Sequence, residues 1–86
     1  MDDIREQFGR ILRKCRMTRG LTQEELAFRA GMSVPYLSDL ERGHWNPSLA
    51  MVVDLARALE IHPAELLTEL EVDPNAELPS RRRPEE

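Results

Sequence analysis

Residues 21–48, LTQEELAFRAGMSVPYLSDLERGHWNPS, carry the signals that decide the fold. Thr22 stands three residues before Glu25, the spacing at which a hydroxyl and a carboxylate each satisfy a free backbone N–H, so a short helix is predicted from Gln23. Leu26, Ala27 and Ala30 give that helix a buried stripe, and Gly31 follows, a residue suited to the left-handed conformation that ends helices. Ser33 caps the next helix because its side-chain oxygen can accept from an N–H one turn in. Pro35 is tolerated where no intrahelical donor is required. Leu37 and Leu40 face inward, Gly43 closes the run, and His44, Trp45 and Asn46 form a loop before Pro47 and Ser48, the cap of a further helix.

Outward from this segment the helical period continues on both sides. Ile4, Phe8, Ile11, Leu12 and Cys15, spaced by three and four, predict a first helix that ends near Gly20 and carries a strongly basic outer face. Leu49, Val52, Leu55, Ala56 and Leu59 predict a fourth helix reaching about Glu60. His62 and Pro63 then open a short fifth helix carrying Leu66, Leu67 and Leu70. No strand signal and no internal repeat appears. The expectation is an all-α, compact five-helix domain over residues 4–71. Residues 72–86, VDPNAELPSRRRPEE, hold three prolines and alternating charge blocks, and read as a tail.

A chain of 86 residues suits one domain with one hydrophobic core. Its 41% hydrophobic and 33% charged residues lie near the globular average, so it is expected to fold. The net charge of −4 is unevenly spread: residues 4–42 hold eight bases against five acids, net +3, while residues 43–86 hold four arginines against nine acids, net −5. That asymmetry suggests one side facing nucleic acid and one acidic side. No apolar run is long enough to span a bilayer, and the acidic start Met1, Asp2, Asp3 lacks the basic and apolar stretches of a signal peptide, which points to the cytoplasm and away from membranes.

Cys15 has no partner for an internal disulfide and shares a face with Phe8, Ile11 and Leu12, the place of a small buried thiol. A nucleophilic role needs a base nearby, and neither His44 nor His62 is close in sequence. These three residues lack metal-ligand spacing, so no metal and no cofactor are expected. Paired carboxylates or an activated nucleophile in a cleft are likewise not found, which sets an enzyme aside.

Two short helices joined by a glycine-containing turn are the general helix-turn-helix pattern. Beyond that pattern, TQEELA at residues 22–27, Gly31 in the turn, Tyr36 and Leu37, ERG at residues 41–43, NPS at residues 46–48 and LARAL at residues 55–59 closely resemble the XRE family of Cro and lambda-repressor-like regulators. The resemblance covers most of residues 8–67. It implies a sequence-specific double-stranded DNA-binding regulator whose third helix enters the major groove while the amino end of the second meets the phosphate backbone. Elementary electrostatics agrees, since free N–H groups and the positive dipole end at Gln23 favour a phosphate oxygen and the Gln23 amide adds a donor.

Carried across position by position, the resemblance puts the hydroxyls of Ser33, Tyr36 and Ser38 near phosphates, with Asn46 in an approaching loop and Arg42 adding charge. Ser33 can cap and contact at once. The base-reading positions correspond to Val34, Pro35 and Asp39, where the chain departs from glutamine-rich examples. Val34 or Pro35 can touch a thymine methyl. Asp39 either accepts from the amino group of cytosine or holds Arg42 three residues on, and both readings stand. Arg16 and Glu41 occupy positions that in similar repressors form a partly buried ion pair tying the first helix to the end of the third.

Trp45 and Phe28 read as packing or, for Trp45, as a sugar contact. Arg81, Arg82 and Arg83 belong either to a minor-groove arm or to a solvated tail. Small modules of this kind commonly pair on two half-sites about one helical turn apart, so a homodimer is expected. Leu67, Leu70 and Val72 are its candidate contacts, against the alternative that Leu66 and Leu67 only complete the core. The expected output is a repressor or autoregulator. The competing reading is an antitoxin-like or adaptor protein whose acidic carboxyl half binds another protein.

Overall fold

Each helix begins where the sequence supplies an acceptor for its unpaired amides. In the computed structural model, which describes residues 3–76, α1 spans Ile4–Thr18, α2 Gln23–Ala30, α3 Val34–Glu41 and α4 Leu49–Leu59, and a 3-10 turn covers Pro63–Leu66. There is no strand among the described residues. The Asp3 carboxylate accepts from the Arg5 amide at 2.8 Å to open α1. Thr22 and Glu25 form the reciprocal cap of α2, the Glu25 amide donating to Thr22 Oγ1 at 3.0 Å and the Thr22 amide to Glu25 Oε1 at 2.9 Å. Ser33 Oγ accepts from the Tyr36 amide at 3.2 Å, and Ser48 Oγ from the Met51 amide at 3.1 Å. Gly31, at φ 71°, takes the left-handed conformation that turns the chain from α2 to α3.

The expected fifth α-helix does not form at its place: the described residues make four α-helices, and the segment after His62 makes only the 3-10 turn. Its start is capped, and a competing interaction at its far end accounts for the early stop. His62 and Glu65 cap each other, the Ala64 amide donating to His62 Nδ1 at 3.0 Å and the His62 amide to Glu65 Oε2 at 3.1 Å, which starts the turn. Five residues past its end, the Gln7 side chain captures the backbone of Glu71, Nε2 donating to the carbonyl at 3.2 Å and Oε1 accepting from the amide at 2.7 Å. Continuing the helix would break that pairing, and a helix this short has little cooperative gain to offer in return. Of the three leucines expected on its buried stripe, Leu66 is fully buried, Leu70 packs at the core edge and Leu67 is exposed.

One core joins Phe8, Ile11 and Leu12 of α1 to Leu26, Ala27, Leu37 and Leu40 of the central pair, and to Val52, Leu55, Ala56, Leu59 and Leu66. Here α1 packs on α3 and the 3-10 turn, and α2 packs on α3 and α4. Gly9 sets how closely α1 meets the end of α3, since a Cβ there would stand 2.5 Å from the Glu41 carbonyl oxygen and 2.6 Å from that of Leu40. Arg19 closes the carboxyl end of α4, its Nε and Nη2 donating to the carbonyls of Leu59 at 2.6 Å and Glu60 at 2.7 Å. Cys15 is half-buried rather than enclosed, and burial together with Glu65 and Glu69 pushes its thiol above the ordinary value. Arg81, Arg82 and Arg83 lie outside the described residues.

Candidate nucleic-acid interface

The amino end of α2, the middle of α1 and the exposed side of α3 converge on a polar cleft lined by Arg13, Thr22, Gln23, Glu24, Ser38 and Arg42, with Arg16 and Glu41 at its floor. Arg16 and Glu41 are paired through both guanidinium arms, Nε to Oε2 at 2.6 Å and Nη2 to Oε1 at 3.1 Å, with only 12% and 4% of their side chains exposed. Arg16 Nη1 also donates to the Leu21 carbonyl at 2.8 Å, in the loop leading into α2. Gln23 Nε2 donates to Glu41 Oε1 at 3.0 Å, so this carboxylate receives donors from α1 and α2 at once. That geometry explains how a buried charge is tolerated, because every donor reaching it is directed and two of them carry a shared positive charge.

Along α3, Ser33 and Pro35 are exposed, and Val34 and Tyr36 are half-buried against the core edge. Ser38 is half-buried and borders the cleft, Arg42 is exposed beside it, and Asn46 is exposed in the following loop. Asp39 takes the helix-surface geometry weighed above: Arg42 Nη2 donates to its Oδ1 at 2.8 Å, and His44 Nδ1 stands 3.4 Å from the same oxygen. The Arg42 hydrogen bond, with a further one from Trp45, holds the Asp39 carboxyl below the usual carboxylate range. Trp45 is half-exposed in the loop after α3, whereas Phe28 projects from α2 with 88% of its surface exposed. No group of three or more metal-ligating side chains occurs among the described residues, and no helix there is long and apolar enough to cross a membrane.

This arrangement of a capped α2, a left-handed glycine corner and an exposed α3 coincides with a family model. The helix-turn-helix model HTH_3 matches residues 12–66. The chain belongs to this helix-turn-helix family, of the Cro/C1, XRE-like type. It is similar to an uncharacterized HTH-type transcriptional regulator, y4dJ, of Sinorhizobium fredii, with 42% identity over 84% of this chain and 94% of the relative. Among solved structures, the restriction-modification controller protein C.AhdI of Aeromonas hydrophila matches at 46% identity and TM-score 0.69, over 71% of this chain and 92% of that one. The clp gene regulator ClgR of C. glutamicum matches at 36% identity and TM-score 0.77, over 80% and 90%. The chain is accordingly a DNA-binding transcriptional regulator.

Two features of the cleft were not singled out from sequence. Arg13 reaches the cleft from α1, and only the crossing of α1 over α3 brings it there; its place one turn before Arg16 was the available signal. The link from Gln23 to Glu41 spans eighteen residues and depends on α2 and α3 meeting at the glycine corner, for which local pattern gives no sign.

Proposed function

We propose that this regulator binds a palindromic operator as a homodimer, with α3 in the major groove, and acts in the cytoplasm as a repressor or autoregulator. The observation that carries the reading is the cleft itself. Arg13, Thr22, Gln23, Ser38 and Arg42 supply donors around the amino end of α2, where a phosphate oxygen is favoured by the unpaired amides and the helix dipole. Ser33 and Tyr36 at the start of α3 and Asn46 in the loop after it add hydroxyl and amide donors for the backbone, and Pro35 and Val34 stand at the start of α3 with apolar surface suited to a thymine methyl. Asp39 then acts chiefly through Arg42, orienting it toward the backbone. The Arg16–Glu41 pair fixes α3 relative to α1 and α2. Kinship with a controller protein supports a regulatory output, and the exposed Leu67 and Val72 beside Leu70 supply apolar surface for a second copy.

Selection of bound sequences from a random duplex pool, followed by scattering on the purified complex, tests this. The expected result is an inverted repeat with half-sites spaced by about one helical turn, roughly 10 base pairs or a multiple, and two chains per duplex. A single asymmetric site occupied by one chain removes the dimer, and enrichment of no duplex at all removes DNA reading by α3.

A further inference from the structure

Between Gln7 and Gln23 the chain contains no acid and five bases, Arg10, Arg13, Lys14, Arg16 and Arg19. Arg16 turns inward onto Glu41, and Arg19 reaches the end of α4. The other three are exposed on the outer side of α1, where Arg10, Arg13, Lys14, Met17 and Thr18 line an open concavity. Arg13 borders both this concavity and the polar cleft at the amino end of α2, so the two surfaces are continuous. Residues 10, 13, 14 and 17 share one helix face, and at 1.5 Å per residue the strip is about 10 Å long. That length matches roughly three base-pair steps of duplex at 3.4 Å each.

We infer that the outer face of α1 is a second duplex-contacting surface, which receives the phosphate backbone flanking the operator half-site. The inference rests on the reading of the cleft as a phosphate site, because continuity through Arg13 is what directs the same strand onto α1. Within the helix the nearest acid is Glu6, one turn before Arg10, and Glu24 shares the cleft with Arg13. Lys14 is paired with Glu69 at 3.2 Å, but both side chains are mostly exposed, and an ion pair of this kind gives way readily to a competing phosphate. The overall acidity of the chain therefore does not oppose a flanking contact, since the basic charge is gathered on the surface next to the reading helix.

The test uses the intact chain and two duplexes carrying the selected operator, one ending two base pairs outside the half-sites and one extended by twelve on each side. The parent protein is expected to bind the longer duplex about tenfold more tightly at 50 mM salt. The slope of log affinity against log salt should steepen by about two for each chain, close to 0.9 for each of its two added phosphate contacts, and so by about 3.6 for the two chains of a dimer. Arg10→Gln with Lys14→Gln should remove both gains while leaving affinity for the short duplex within twofold, and circular dichroism checks that the variant is folded. Glu69→Gln, which releases Lys14, should enlarge the gain. Retention of the full gain by the double variant overturns the inference and leaves the strip to an acidic protein partner. Equal losses on both duplexes overturn it as well, by placing the two side chains within the half-site. Failure of the parent to bind either duplex is a different outcome, which removes the DNA reading of the cleft.

Discussion

Glu41 holds three helices in register through one carboxylate: Arg16 donates to it from α1, Gln23 from α2, and its own backbone ends α3. An ion pair this buried need not add stability over an apolar pair of similar size, but removing one partner strands a desolvated charge. Arg16→Met is therefore expected to cost about 3 kcal/mol, whereas Arg16→Met combined with Glu41→Leu should recover most of that loss. Urea denaturation of the three proteins reads the difference directly, and equal midpoints for the single and double variants would mean that the pair is effectively solvated. DNA affinity should separate from stability here, because the double variant also frees Gln23 from the contact that orients its amide. At the outer surface the acid side chains make a pH prediction. Hydrogen bonds from Thr22 hold Glu25, and one from Arg42 holds Asp39, below the usual carboxylate range. A lowered folded pKa gives stability that is present above the unfolded value, about 4, and is lost as pH falls through the folded value. Glu25→Gln with Asp39→Asn should thus flatten the acid limb of the stability profile below about pH 4.5, and an unchanged limb in denaturation curves from pH 7 to 3 would count against both contacts.

At the scale of elements, α1 and α3 cross where Gly9 leaves no room for a side chain, and this reverses an ordinary expectation. Alanine normally improves a helix interior by about 1 kcal/mol over glycine. Here a methyl group would meet the carbonyl oxygens of Leu40 and Glu41, backbone atoms that cannot swing aside. Gly9→Ala is expected to destabilise by about 2 kcal/mol through overpacking and to weaken DNA binding further by tilting α3; a rise in melting temperature would show that the helices separate freely. Nothing in the sequence around Gly9 announces this role, because the partner atoms lie some thirty residues away. The caps at Thr22, Ser33 and Ser48 and the corner at Gly31 were legible, since each depends on residues within one turn of one another. The end of α4 was legible only in part: Glu60 stops the helix in a left-handed conformation, but the side chain covering its last carbonyls comes from Arg19. The 3-10 turn was misread as a helix for the same reason, because leucine spacing is local and the Gln7 to Glu71 pairing that competes with it is not.

For the whole molecule, the Gln7 clamp matters more than its two hydrogen bonds suggest. It fixes the segment after Leu70 beside the first turns of α1, and so determines where Leu67, Leu70 and Val72 stand relative to the DNA-facing side. Val72 is 72% exposed and Ile4, at the start of α1, is 53% exposed, so the clamp presents apolar surface from both ends of the domain. A dimer built on that surface needs the segment held before association, because ordering it on binding would cost conformational entropy that a small interface cannot spare. Gln7→Leu keeps the apolar bulk of the side chain and removes the pairing. It should leave the helical circular dichroism of the four helices intact, yet raise the dimer dissociation constant at least tenfold, roughly 1.4 kcal/mol, in sedimentation equilibrium. Val72→Asp should weaken association without loosening the clamp, and amide exchange at Glu71 distinguishes the two, becoming fast only in Gln7→Leu. An unchanged dissociation constant in both variants would move the dimer contact to another face, and the spacing of the two α3 helices with it.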